Sequence, residues 1–375
     1  MTEITVLHII TRFRNGGAET TTSNELDALH AADEKYDLHL GYGYDSDENA
    51  VTTAVPDFVT TVRFDQIRHG SLARTLPAVF EVARYLRQTD CDVVHTHSTE
   101  AGIIGRWAGT LARTPTIIHE VHGDPITDDR SAVLNAFVTA MERLSAPIAT
   151  KLIVKSERIR EDFLERGIGT QEQYKLIYHG VDVERFSGVA PADVPESNAN
   201  RRLLFVGRLS DGKGLVDLLN GFEVVAERHS VDLLIAGDGP IRSALEEIIE
   251  QRGLSDSVFC LGYRTDIPQL LAASDVLVLP SYREGTPRVI SEALASGTPV
   301  VATQIAGIPE QVTDDETGLL IEPGDIDGLV NAIDTLLADG QRRNAMSSRC
   351  RNTVNQFSRA SSTRAIQELY RSIAY

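Results

Sequence analysis

Lysine is nearly missing from this 375-residue chain. Of its 36 cationic side chains five are lysine, at positions 35, 151, 155, 175 and 213, which leaves 31 arginines. Against 54 carboxylates the formal charge is −18 and the pI about 5.0. The cationic surface that a nucleic-acid partner requires is therefore lacking. Acid excess with so little lysine suits a surface kept soluble in concentrated salt, so a halophilic, salt-rich cytoplasm is the expected setting. Cysteine is rare as well. Cys91, Cys260 and Cys350 form no CxxC pair and show no metal-ligand spacing, so they read as reduced thiols used as small hydrophobes. No run approaches the ~20 apolar residues that cross a bilayer. The N-terminus, MTEITVLHIITRFRNGG, has an acid where a signal peptide carries bases. A cytoplasmic protein is expected. There is no repeat of roughly 20–50 residues, and no G-x-G-x-x-G turn, so no nicotinamide or flavin site is read.

What is present is a recurring short apolar run followed by a longer amphipathic stretch, the pattern of βα units around a parallel sheet. Candidate strands in the first half fall at 4–10, 37–41, 92–95, 116–120 and 152–154, and in the second at 203–206, 232–236, 258–261, 276–279, 300–302 and 319–321. The segment SGVAPADVPESNAN (187–200) has neither helical nor strand periodicity and reads as a linker. The expected organisation is an N-terminal Rossmann-like domain over 1–186, the linker, a second doubly wound domain over 201–357, and a final segment 358–375 whose helix packs back on the first domain. Open parallel sheets bind ligands beyond the carboxyl ends of their strands. Two facing halves predict a cleft between two sets of loops.

The residues in those loops suit anionic ligands. PSYREGTPRVISEALASGTPVVAT (280–303) runs from a strand through a loop into a helix. Glu284 lies in the loop, Glu292 inside the helix, and Pro287 at or near the first helical position. Amides around Gly285, Thr286, Pro287, Arg288 and Val289 open the helix, where an anion or developing charge is held. LFVGRLSDGKG (204–214) places Arg208 and Lys213 on a glycine-containing loop, a planar fork and a point charge suited to a diphosphate. Gly16 and Gly17 in TRFRNGGAE (11–19) let backbone approach a ligand closely. IIHEVHGD (117–124) presents His119 and His122 at a strand end. The H-x-H of His95 and His97 invites a metal, but no acidic or cysteine ligand stands at suitable spacing, so none is expected.

Taken together these strings resemble the family-4 retaining glycosyltransferases (glycosyl transferases group 1, GT-B fold). The likeness is dense over 200–330 and sparser, though ordered, over 1–180. It implies that Glu284 contacts the donor sugar near the reacting centre and that Glu292 accepts hydrogen bonds from the nucleotide ribose. It further implies that Arg208 and Lys213 neutralise the departing diphosphate without a metal, that His122 reaches the reacting sugar, and that the GGAE element at Gly16 and Gly17 contributes to the cleft. The loop LGYRTDIP, with Tyr263, matches one that meets the base through its backbone. YHGVDVERF (178–186) resembles the family's Asn-Gly-Val-Asp element, with His179 where asparagine is usual. The expected reaction is transfer of a hexose-type sugar from a nucleotide-diphosphate sugar to a glycan or lipid-linked acceptor hydroxyl, with no cofactor and no metal. A nucleotide-sugar epimerase or phosphorylase-like enzyme of the same fold, or a non-catalytic subunit, are the alternatives. Arg63, Arg68, Arg74, Arg84 and Arg87, beside an apolar stripe of Leu72, Leu76, Val79, Phe80, Ala83 and Leu86, fit either a helix packed on the sheet or peripheral contact with the inner membrane face.

Overall fold

The computed structural model describes residues 3–14, 16–126, 131–195 and 199–373. Residue 15 of the glycine loop, 196–198 of the expected linker and 374–375 of the final segment lie outside the described residues. The chain divides into two compact units, one of 1–180 with 359–375 and one of 181–358.

In the first unit the elements run β1 (Ile4–Ile10), α1 (Gly17–His30), β2 (Tyr36–Gly43), α2 (Glu48–Ala54), β3 (Thr60–Phe64), α3 (Thr75–Gln88), β4 (Val93–His97), α4 (Thr99–Ala112), β5 (Thr116–Val121), α5 (Ala132–Ser145), β6 (Lys151–Val154), α6 (Glu157–Glu165) and β7 (Tyr174–Leu176). Its seven strands are parallel in the order β3-β2-β1-β4-β5-β6-β7. Strands buried on both faces read as continuous apolar runs, and β1, ITVLHII, is one. One face of the sheet packs Val6 and Leu40 against Leu26 of α1 and Val51 of α2, and the other packs Leu7 and Val94 against Val82 of α3 and Ile104 of α4.

The second unit contains β8 (Arg201–Val206), α7 (Leu215–Ala226), β9 (Val231–Ala236), α8 (Arg242–Gln251), β10 (Val258–Gly262), α9 (Ile267–Ala272), β11 (Val276–Leu279), α10 (Arg288–Ser296), β12 (Val300–Thr303), α11 (Ile308–Gln311), β13 (Gly318–Ile321), α12 (Ile326–Ala338) and α13 (Gly340–Thr353). Its six parallel strands lie in the order β10-β9-β8-β11-β12-β13. The last helix, α14 (Arg359–Ile373), belongs to the first unit. It lies along α1 and adds Ile366, Leu369 and Tyr370 to the core on that face.

Both sheets reverse strand order once, between β1 and β4 and between β8 and β11. Such a reversal splays the following loops apart and opens a crevice at the carboxyl ends of the two strands. The sequence-predicted residues stand after β1, β5, β8, β10 and β11, with Glu292 inside α10. No helix among the described residues is long and apolar enough to cross a membrane.

Candidate active site

In the second unit three loops interlock through their backbones. Gly207 donates to the Ala236 carbonyl at 3.0 Å, Leu209 to that of Asp238 at 3.0 Å, and Tyr282 to that of Gly212 at 3.0 Å. Glycine is required twice. Gly237 has φ +151° and a Cβ there would stand 1.8 Å from the Gly207 oxygen; Gly214, at φ +64°, would meet the Pro280 oxygen at 2.0 Å. This close approach carries Lys213 to Glu284. The ammonium lies 2.6 Å from Oε1, which also accepts a 2.8 Å bond from the Ser281 hydroxyl. The Glu284 side chain is 8% exposed and that of Lys213 22%, so the pair is largely desolvated, yet reachable on the lysine side.

The helix that follows opens without a side-chain cap. Pro287, at φ −68° and ψ 119°, is its N-cap, and Arg288 is the first helical residue. Proline thus sits next to the first helical position, and its extended ψ turns the chain into the helix. Arg288 is partly withdrawn from water, and its Nη1 is buried with no hydrogen-bond partner among the described residues. Burial lowers its pKa, against the pull of Glu292 one turn on. Burial likewise raises the Glu292 carboxyl, with Arg288 and Arg185 opposing. Gly285 is tied by its carbonyl to the Gly307 amide, Thr286 is buried, and Val289 is half-buried. Arg208 and Tyr263 are both exposed, at the ends of β8 and β10. Among the described residues Arg208 makes no hydrogen bond or ion pair with Lys213 or Glu284.

In the first unit Gly16 is the N-cap of α1, again with no side-chain cap, and Gly17 is its first residue. Glu19, the last of the GGAE run, accepts the Arg14 amide at 3.1 Å. His122 follows β5 with its side chain 13% exposed. Its Nε2 lies 3.1 Å from His97 Nδ1, and its Nδ1 3.4 Å from Glu120 Oε1. Both ring nitrogens are turned inward, so a direct contact with a sugar requires the ring to flip. His119, on the other face of β5, bonds the Thr96 hydroxyl at 2.9 Å and fills the space that Gly102 leaves open on α4. Its surroundings are those of a core residue. His179 bonds Thr21 Oγ1 at 2.9 Å and stacks beside His122, with ring centroids 6.1 Å apart.

Behind His122 the structure assembles a polar network for which the sequence shows no pattern. His97 Nε2 meets His8 Nδ1 at 2.9 Å, His8 Nε2 meets the Tyr370 hydroxyl at 3.3 Å, and that hydroxyl meets His95 Nδ1 at 3.0 Å. His95 Nε2 turns to Glu120 at 3.5 Å, closing the circuit. Lys155 stands 2.7 Å from Glu120 and 3.5 Å from Glu25. All are buried. Acids do therefore approach the H-x-H pair, from α1 and β5, where the sequence offers none nearby. Two groups, His8 with Glu25, His95 and His97, and His97 with Glu120 and His122, bring possible ligand atoms within 4.8 Å of one another. The rings of His8, His95 and His97 are nonetheless stacked or tilted face to face, 4.6 to 5.2 Å between centroids. The Lys155 amine lies against Glu120. The arrangement is a buried hydrogen-bonded network.

Opposite charges in the network offset one another. Burial, then repulsion from Glu120, holds the Glu25 carboxyl well above the usual range. Burial also pushes Glu120 upward, but Lys155, His122, His95 and His97 together pull it well below. Burial keeps His8, His95 and His97 low and lowers His122 to about 4. A Glu25 held towards its neutral form, a Glu120 held towards its charged form beside Lys155 and imidazoles held towards neutrality avoid an excess of like charge in the interior.

Comparison with known proteins adds to this geometry. A family model described as Glycosyl transferases group 1 matches residues 190–353, and one described as Glycosyl transferase 4-like domain matches 16–180. The chain is 31% identical, over 81% of both chains, to the UDP-Gal:α-D-GlcNAc-diphosphoundecaprenol α-1,3-galactosyltransferase of Escherichia coli. It is 36% identical to the lipopolysaccharide core biosynthesis glycosyltransferase LpsE of Rhizobium meliloti, over 57% of this chain and 61% of that one. The solved structure of Anabaena HepE in complex with UDP and glucose superposes with a TM-score of 0.81 at 26% identity, covering 98% of this chain and 99% of the other.

Proposed function

Because the chain belongs to the group 1 glycosyl transferases, and so is a glycosyltransferase of the GT-B fold, we propose that it moves a hexose from a uridine-diphosphate sugar to the hydroxyl of a lipid-linked glycan with retention of anomeric configuration. The observation that carries this reading is the Lys213–Glu284 pair, 2.6 Å apart at the β8/β11 reversal and beside the uncapped start of α10. The donor class follows from HepE, whose structure holds UDP and glucose, and from the UDP-Gal of the Escherichia coli relative; the acceptor class follows from that relative's diphosphoundecaprenol.

In this reading the bond from the sugar C1 to the diphosphate breaks and one from C1 to the acceptor oxygen forms on the same face, while the acceptor proton passes to the departing diphosphate. Lys213, Arg208 and the first amides of α10 stabilise the negative charge growing on the leaving group, usually the largest contribution in such sites. The unpartnered Nη1 of Arg288 is a further donor, and Glu292 accepts from the ribose hydroxyls. Glu284 faces the sugar and orients Lys213. In the first unit Gly16, Gly17 and His122 are the candidate ligand residues of this reading. Tyr263 and the backbone of Gly285, Thr286, Pro287 and Val289 complete the donor site. No cofactor enters the step, and turnover is expected to survive EDTA.

The test is release of UDP and formation of product from UDP-hexoses and a diphosphoprenyl-linked sugar. Lys213→Ala or Arg208→Ala is expected to lower turnover by about 10²–10³. A Glu284→Gln enzyme with unchanged turnover would overturn the assignment. UDP at about 100 times its dissociation constant is expected to add ~2.7 kcal/mol to stability.

A further inference from the structure

The stripe on α3 divides in the structure. Val79, Ala83 and Leu86 are buried on the sheet, whereas Leu76 and Phe80 are exposed. The arginines before α3 have acidic or polar partners, Arg63 with Glu48 and Asp65, and Arg74 with Gln66. The larger apolar surface lies further along the chain. α3 packs beside α4 and α4 beside α5, and most of the large apolar side chains exposed among the described residues stand on these three helices.

α5 is the unusual member. It buries Val138, Glu142 and Ser145, and it is held to α4 by polar contacts, Arg106 to Glu142 at 2.7 Å and the Trp107 indole to Ser145 at 3.1 Å. Apart from Val138 and the half-buried Met141, its apolar residues face water. Val133, Phe137, Ala140 and Leu144 follow one another at intervals of four, three and four, which is one helix face, and Val133 is 81% and Leu144 62% exposed. Trp107 of α4 continues the surface. The exposed charged residues on the three helices and their C-caps are all arginine, namely Arg84, Arg87, Arg113 and Arg143, of which Arg87 and Arg143 also donate to the Leu111 and Arg166 carbonyls. The carboxylates are withdrawn: Glu81 accepts amides of Asp65 and Gln66, Glu100 accepts from Gly70, and Glu142 is buried. On a chain of charge −18 this is a local inversion of sign.

We propose that the outer face of α3, α4 and α5 docks on an anionic lipid bilayer, with α5 lying in the interfacial plane. The apolar stripe enters the headgroup boundary and the guanidinium groups meet lipid phosphates, the division of labour of an interfacial helix. A second copy of the chain is the poorer occupant, because a two-fold contact through this face would set arginine against arginine. The proposal deepens the lipid-linked acceptor reading and rests on it for purpose, but its test does not depend on transfer.

The full chain is floated with vesicles of phosphatidylcholine, with and without phosphatidylglycerol. It is expected to float with the anionic vesicles and to partition less to neutral ones. The double variant Val133→Asp, Phe137→Asp is expected to lower partition at least about tenfold, equivalent to ~1.4 kcal/mol, with an unchanged Tm and unchanged transfer to a short-chain soluble acceptor. Arg84→Glu with Arg87→Glu is expected to remove the preference for anionic lipid. Absence of flotation, flotation unaffected by these substitutions, or a dimer in light scattering that the same substitutions dissociate would each overturn the proposal. Flotation without transfer to any acceptor would instead sink the functional reading alone.

Discussion

A methyl group at Gly237 would have to occupy the space of the Gly207 carbonyl, in a backbone region that side chains rarely enter. Gly237→Ala is therefore expected to cost several kcal/mol, since strain and displaced backbone add, and to weaken UDP binding by loosening the loop that carries Arg208. Denaturant melts and nucleotide titration of the variant check both; an intact Tm contradicts the fit described. The buried histidines give a second expectation. His122 titrates near 4 in the folded chain and near 6.5 when unfolded. The unfolded chain thus binds more protons across that window, and stability falls as pH drops from ~6.5 towards 4, by about 3 kcal/mol from this group alone. His8, His95 and His97 act in the same sense, while Glu25, whose carboxyl is raised, opposes by losing stability as pH rises above ~4.5. Calorimetry from pH 7 to 5 reads the sum, and a flat Tm contradicts it.

At the scale of elements, α14 covers one face of a sheet to which its sequence neighbours do not belong. Ending the chain at Ser358 removes Ile366, Leu369 and Tyr370 from the first core and leaves His8 and His95 without their shared hydroxyl. The truncated protein is expected to lose Tm for the first unit while the second still melts cooperatively, which two-phase calorimetry detects. Most elements were legible in the sequence because buried parallel strands are continuous apolar runs, as in β1, β9 and β11. β3 was not, since Thr60, Thr61 and Arg63 are exposed and only Phe64 is buried, nor was three-residue β7 at the opposite edge. α13 escaped too, because it buries Arg343, Met346 and Cys350 and shows no apolar stripe; Asp339, which caps it, is the signal that was there to find. The loops after β8 and β11 stood out in the sequence because glycine, arginine, lysine and glutamate lie close together in their strings. Glu25, Lys155 and Tyr370 meet the histidines from α1, the end of β6 and α14, and no local spacing announces a meeting of that kind.

For the whole molecule the dominant quantity is charge. Fifty-four carboxylates face 36 cations, and self-repulsion of that size weakens a compact state until ions screen it; at 1 M salt the screening length is about 3 Å. Tm and turnover are expected to rise from dilute buffer to molar potassium chloride, and full activity in dilute buffer with no gain at high salt would contradict a halophilic surface. The few lysines fit the same economy. Lys155 and Lys213 are not spread over the surface but set against Glu120 and Glu284, where a compact point charge matters.

The chain leaves the first unit at residue 180 and returns to it at 359, which imposes an order on its birth. A ribosome starts the first unit, completes the second from one uninterrupted stretch, and only then releases the helix that shuts the first. The half begun earliest is the last to close, with its histidines waiting for Tyr370, so a pause in translation between the second unit and α14 leaves a finished second unit tethered to an open first one.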